Sequence, residues 1–183
     1  FTEHFRRSQF EDEISFLSNV TFVQANESHS KKGVVRGLHF QWNPFMGKLV
    51  RTVHGTMIDL FLDIRKGSPT YGMISAHKLQ ADPSKDSAEW IWVPPGFAHG
   101  NLFSEDTTIE YFCSGEYSPG FEAGISPIAT DIDWTRCDDE LKAEIDAGLA
   151  GTTLMSDKDR DAPSLASWTA DERSENFRYE ELS

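Results

Sequence analysis

A chain of 183 residues, 38% hydrophobic and 12% aromatic, can bury one substantial core, and its length fits a single domain better than two. A net charge of -13 speaks against nucleic acid as a partner, because phosphate backbones ask for a basic face and the 17 Lys and Arg residues are scattered. No apolar run approaches the ~20 residues that span a bilayer, so no membrane partner is expected.

The chain begins at Phe1, inside what reads as a working segment, which predicts an upstream arm that is missing from it. Residues 5–16 then carry Phe5, Phe10, Ile14 and Phe16 among charges, the pattern of a short amphipathic helix or two helical turns. Short apolar or β-branched runs follow at 20–24, 34–41, 48–53, 57–64, 71–79, 90–93, 100–103 and 107–113, with turn residues between them. His54-Gly55-Thr56 and Lys66-Gly67-Ser68-Pro69 place glycine or proline where a reversal needs φ > 0 or a preset φ. Strands at this spacing, with no helical pattern between them, predict an all-β fold, a β jelly roll with short peripheral helices. Residues 138–149 form the second helix, with Asp138 or Asp139 as N-cap and Leu141, Ile145 and Leu149 on one face. Beyond Ala162 the chain is polar and interrupted by Pro163, which predicts a peripheral tail that wraps the surface and is partly disordered. Cys113 and Cys137 have no paired spacing, so neither a disulfide framework nor a thiolate zinc site is expected, and a reducing cytoplasm is the default location.

Two of the six histidines sit in contexts that constrain them, His39 in Arg36-Gly37-Leu38-His39-Phe40-Gln41 and His99 in Pro94-Pro95-Gly96-Phe97-Ala98-His99-Gly100. Alternation along a strand puts Arg36, Leu38 and Phe40 on one face and Gly37, His39 and Gln41 on the other, with Gly37 leaving space beside the imidazole. Read alone, a strand histidine is more often a hydrogen-bonded structural residue than a catalyst. Asp59 and Asp63 share a face of an apolar strand, where a buried carboxylate needs a partner, and Lys48 is a candidate to pair with Asp59 across the barrel interior. Arg36, Lys48 and Arg51 gather cations in one stretch of an acidic chain, as an anionic ligand would require, although a solvated strand face reads the same way. A metal is the competing explanation for the Pro-Gly-x-x-His run, which resembles the second signature of metal-binding cupins. The first signature of that group is absent, since Phe40-Gln41 follows His39, and one imidazole with one glutamine makes a poor zinc or iron site. No metal and no cofactor are expected.

Six motifs in order, Phe22-Val23-Gln24-Ala25-Asn26, Arg36 to Gln41, Gly47-Lys48-Leu49-Val50-Arg51, Asp63 to Gly72, Pro95 to Gly100 and Leu154-Met155-Ser156-Asp157-Lys158-Asp159, resemble the dTDP-4-dehydrorhamnose 3,5-epimerase family of cupin-fold deoxysugar enzymes. The resemblance implies a metal-independent isomerase that moves protons at C3, C5 or both of a dTDP-linked 4-keto-6-deoxyhexose in rhamnose biosynthesis, and a homodimer. It implies His39 as catalytic base, Asp159 as its carboxylate with Asp157 as the neighbour that could be confused with it, and Tyr111 facing the base across the sugar. Lys48 and Asp59 match polar residues beside the ketone. Phe1, Glu3, Gln24, Asn26, Arg36 and Tyr117 match nucleotide diphosphate positions, with His99 near the diphosphate and sugar. The chemistry agrees: a proton beside a ketone needs a base near neutrality, a group that holds the enolate oxygen, and a donor on the opposite face for inversion.

Some positions depart from the family's pattern. Asn101 stands where phenylalanine is usual, Ala25 where aspartate is common, and the stretches from His39 to Lys48 and from His99 to Tyr111 are each one residue shorter. The segment between Trp134 and Leu154 is longer, and an arm lacking upstream residues loses a nucleotide-binding arginine. These changes surround the sugar pocket, so the alternatives are a single-position epimerase acting on another nucleotide sugar and a cupin that binds a nucleotide sugar without turning it over.

Overall fold

The computed structural model describes residues 3–85, 88–150 and 154–182. Its frame is two facing β-sheets that form a cupin-type jelly roll. One sheet has the order β1 (Gln24–Ser30), β8 (Thr107–Cys113), β3 (Lys48–His54), β6 (Ile91–Val93). The other runs β10 (Leu154–Met155), β2 (Val34–Gln41), β7 (Phe97–Phe103), β4 (Thr56–Asp63), β5 (Ile74–Gln80), with β9 (Glu122–Gly124) beside β2. Antiparallel ladders make up both sheets except for β10, which lies parallel to β2.

Most strands fall where the apolar alternation put them, and the differences have physical causes. The first strand is not residues 20–24 but the polar run Gln24–Ser30, which alternates half-buried and exposed positions while pairing along its whole length with β8. Phe22 instead joins Phe5, Trp92 and Phe112 in a cluster of aromatic rings. Strand β7 starts at Phe97, three residues before the apolar pattern suggests, because the Phe97-Ala98-His99 backbone is held by β4. Strands β9 and β10, too short to carry a period, went unanticipated.

Helices cover the outside. Residues 5–16 give α1 (Arg7–Glu13) and a 3₁₀ turn at Ser15–Leu17. In α2 (Asp139–Ala150), Asp138 is the cap, its carboxylate accepting from the backbone N–H of Glu140 and Leu141, and Ile145 is buried in the main core. The tail corrects its expectation. Residues 165–182 fold into α4 (Leu165–Ala170), a 3₁₀ turn at Glu172–Asn176 and α5 (Tyr179–Leu182), and Trp168 and Phe177 are wholly buried among Phe40, Trp42 and Phe45. The tail is polar on average, but two large aromatic rings are enough to anchor it, since each buries roughly 150–250 Å².

Candidate active site

Strands β2 and β7 bring the two constrained histidines together. His39 pairs directly with His99 in the ladder. Contact that close requires glycine on both strands: a Cβ at Gly37, where φ is +113°, would stand 2.5 Å from the Gly100 Cα, and one at Gly100 would stand 2.7 Å from the Arg36 carbonyl. Gly37 therefore admits the neighbouring backbone rather than leaving open space beside the imidazole, a correction to the sequence reading. The register also shifts between Arg36 and His39. This bulge breaks the strand's parity, so Arg36 lines the same cavity as His39 instead of sharing a face with Leu38 and Phe40, which lie in the core.

The barrel interior holds a cleft of two lobes that share His39, Lys48, His99 and Tyr111. One lobe, about 350 Å³, adds Gln24, Asn26, Cys113, Tyr117 and Glu122; the other, about 450 Å³, adds Ser28, Arg36, Asn101, Ser156, Lys158 and Asp159. His39 and Tyr111 thus face a common space, and side chains from both sheets converge on it. Of the nucleotide-site residues, Gln24, Asn26 and Tyr117 stand together, the Tyr117 N–H donating to Gln24 Oε1 at 2.9 Å and Gln24 Nε2 to Asn26 Oδ1 at 3.1 Å. Arg36 lies in the other lobe with its Nε on Ser30 Oγ. Glu3 is not brought to the cleft; it pairs with Arg6 and lines surface hollows near α1. Phe1 lies outside the described residues.

His39 Nε2 is 2.6 Å from Asp159 Oδ1. The run after β10 supplies that carboxylate because Ser156 caps α3 (Asp157–Arg160), its Oγ accepting from the Asp159 N–H, which turns Asp159 inward. Asp157 points to solvent and pairs with Arg160, so of the two aspartates it is Asp159 that meets His39. Burial pushes the His39 imidazole below its ordinary value, against the pull of Asp159. Burial likewise lowers Lys48, opposed by Cys113, Asp59 and Glu122, and among the described residues no hydrogen bond or ion pair holds its ammonium. The Tyr111 phenol is raised, chiefly by burial.

Asp59 does not pair with Lys48 as anticipated. It is wholly buried, and its Oδ1 accepts from His99 Nε2 and Asn101 Nδ2, each at 2.5 Å, while Oδ2 is sealed with no partner among the described residues. The side chains at 59, 99 and 101 all meet on one face because β7 sets Asn101 opposite Asp59 and His99 two residues away. Residues overlooked by the sequence reading also reach the cleft. Glu122, on β9, accepts from Lys158 at 2.8 Å and Tyr117 at 3.0 Å; burial raises this carboxyl, but those two donors outweigh it and hold it below the usual range. A lone glutamate in a turn-rich stretch gives no periodic signal.

A jelly roll whose interior sets a carboxylate-bound histidine, a lysine with no partner among the described residues and a half-buried phenol around one cleft defines a cupin-type protein with groups suited to proton transfer. The sequence model for dTDP-4-dehydrorhamnose 3,5-epimerase matches residues 1–167, and the chain belongs to that family. It is 38% identical over 170 residues to the dTDP-4-dehydrorhamnose 3,5-epimerase of Sinorhizobium fredii, covering 90% of this chain and 77% of the relative. Among solved structures it resembles a Legionella pneumophila dTDP-6-deoxy-D-glucose-3,5-epimerase in complex with dTDP-4-keto-L-rhamnose, at 32% identity and TM-score 0.77 over 98% of this chain and 85% of that one. A double mutant of a 3'-monoepimerase from Streptomyces bikiniensis in complex with dTDP is similar at 26% identity and TM-score 0.73, covering 97% and 81%.

Proposed function

We propose that the protein epimerises a dTDP-linked 4-keto-6-deoxyhexose, converting the dTDP-4-dehydro-6-deoxyglucose type to the dTDP-4-dehydrorhamnose type by proton abstraction and return beside the ketone. The observation that carries this reading is the 2.6 Å His39–Asp159 contact inside a cleft shared with Lys48 and Tyr111. A carboxylate only accepts, so Nε2–H donates to Asp159 and Nδ1 keeps the lone pair that takes the proton. The lowered imidazole is neutral, and therefore basic, at pH 7. Carbanion formation at C3 or C5 moves negative charge onto the C4 oxygen. Lys48 has an uncommitted ammonium to meet it, worth most in a site shielded from water. Tyr111, protonated because burial raises it, returns a proton to the opposite face and completes inversion without a cofactor. In this reading His99, held from behind by the buried Asp59, sets the polar wall beside the sugar, and Gln24, Asn26, Tyr117 and Arg36 hold the nucleotide diphosphate.

A homodimer belongs to the same reading, supported by the exposed edge strand β1 and by Phe16, Val23 and Val53 on the surface. Light scattering on the full-length protein at micromolar concentration tests it, a monomer counting against it. Two unpaired cysteines suit a reducing cytoplasm. Incubation with dTDP-4-keto-6-deoxyglucose in deuterated water tests substrate, reaction and regiochemistry together. Deuterium at C3 and C5 with formation of the rhamno sugar is the expected result. Label at one carbon alone means a single-position epimerase, and no label at either carbon refutes the reading.

A further inference from the structure

Asn101 is 6% exposed and lies on the central strand of the larger sheet, yet it borders the cleft with His39, Lys48, His99 and Tyr111. Its amide orientation follows from its neighbours. Asp59 Oδ1 at 2.5 Å can only accept and Met57 Sδ at 3.2 Å accepts weakly, so the group facing them is Nδ2 and the carbonyl oxygen turns away. Among the described residues no donor reaches Asn101 Oδ1. It is not one of the sealed, unpaired side-chain atoms, which are Asp59 Oδ2 and Trp168 Nε1, so it keeps access to the cleft.

We propose that Asn101 is a specificity-determining residue whose carboxamide oxygen accepts a hydrogen bond from a ring hydroxyl of the bound sugar, selecting a hydroxylated sugar over one that is deoxy at that carbon. A buried acceptor with no partner among the described residues is costly if the ligand brings an apolar carbon against it and satisfied if the ligand brings an O–H, and this asymmetry is what discriminates. Asp59 and His99 act by locking the amide: with Nδ2 committed, a flip that would present a donor to the sugar would set two acceptors against each other at 2.5 Å. This inference rests on the proposed 4-keto sugar chemistry and adds which part of the sugar is read.

The experiment compares wild type and Asn101→Leu on dTDP-4-keto-6-deoxyglucose and on its 2-deoxy and 3-deoxy analogues, following deuterium incorporation at C5, a carbon common to all three. Wild type should lose about 10- to 100-fold in kcat/KM on the analogue that lacks the partnered hydroxyl, and which analogue suffers identifies the carbon. Asn101→Leu should lose a similar factor on the parent sugar and nothing further on that analogue. Equal loss on all three sugars, or an unchanged rate on the parent, would overturn the inference, since a purely structural role of Asn101 gives no such differential. Asn101→Ser serves if the leucine variant does not fold. Calorimetric binding of the same ligands is read alongside; if wild type exchanges no deuterium at all, the epimerase reading fails, while selective loss of parent binding in the variant still decides for Asn101 and uniform binding decides against it.

Discussion

Two histidines face each other across the β2–β7 ladder, and each gives one ring nitrogen to a carboxylate, yet the pairs are built differently. His39 keeps 34% of its side chain exposed and meets a carboxylate that arrives from 120 positions downstream on α3. His99 is 7% exposed, and its aspartate is fully buried on the adjoining strand, where Asn101 supplies a second donor. The same two functional groups thus make one pair whose imidazole is partly open and another whose imidazole is largely enclosed by the sheet, although both border the cleft. In the proposed reading, accessibility rather than the hydrogen bond itself separates His39, the base, from His99.

The sharpest way to break that distinction is to remove each imidazole in turn. His39→Asn should lose on the order of 10²–10⁴ in both product formation and deuterium exchange, as deletion of a general base does. His99→Asn should keep its exchange rate within about 10-fold and show its effect mainly in KM, because it leaves the base untouched. Equal losses in the two variants would erase the difference. A smaller effect tests the scaffold: Gly100→Ala drives a Cβ to within 2.7 Å of the Arg36 carbonyl, so both histidine pairs should be displaced together, with a stability loss of about 1–3 kcal/mol in denaturant melts and a matching fall in activity. Retained stability with activity intact would mean the two strands need not approach so closely.

Asp159→Asn should fall between wild type and His39→Asn, since an amide oxygen still accepts from Nε2–H while the charge is gone. Its pH profile sharpens the point. Burial lowers the His39 imidazole and Asp159 pulls it back up, so the acid limb of kcat/KM should lie below the usual value near 6.5, and in Asp159→Asn it should move to still lower pH even as the maximal rate drops. A limb that moves upward refutes the assignment. The sign for stability follows from the same shift: the unfolded chain protonates this histidine first, so its contribution to folding is intact above about 6.5 and declines as pH falls through that value. At the other end of the profile, burial lowers Lys48 from its ordinary value, so an alkaline limb that it governs should lie below the usual ammonium range. The smallest expected change is a reduction of that limb's sharpness in Lys48→Arg, whose guanidinium does not titrate in the accessible range.

Much of this arrangement was legible from residues alone. Alternating apolar residues and glycine- or proline-bearing turns fall at β2, β3, β4 and β8, because a strand with one buried face carries its period locally. The ordered motifs singled out His39, Lys48 and Asp159, the resemblance added Tyr111, and those four side chains border one cleft. Asp59 would need a partner once its face of the strand was buried, a consequence of burying charge that requires no coordinates. Tertiary structure alone decided that the partners are His99 and Asn101 rather than Lys48, because contact between strands depends on register, which neither strand encodes by itself. Only the fold could place Arg36 beside His39, since one bulge reverses the face that alternation predicts. The tail shows the same limit. Its composition is polar, but whether Trp168 and Phe177 meet water or Phe40 depends on a surface assembled from strands more than a hundred residues away, and burial follows from that meeting rather than from the average polarity of the segment.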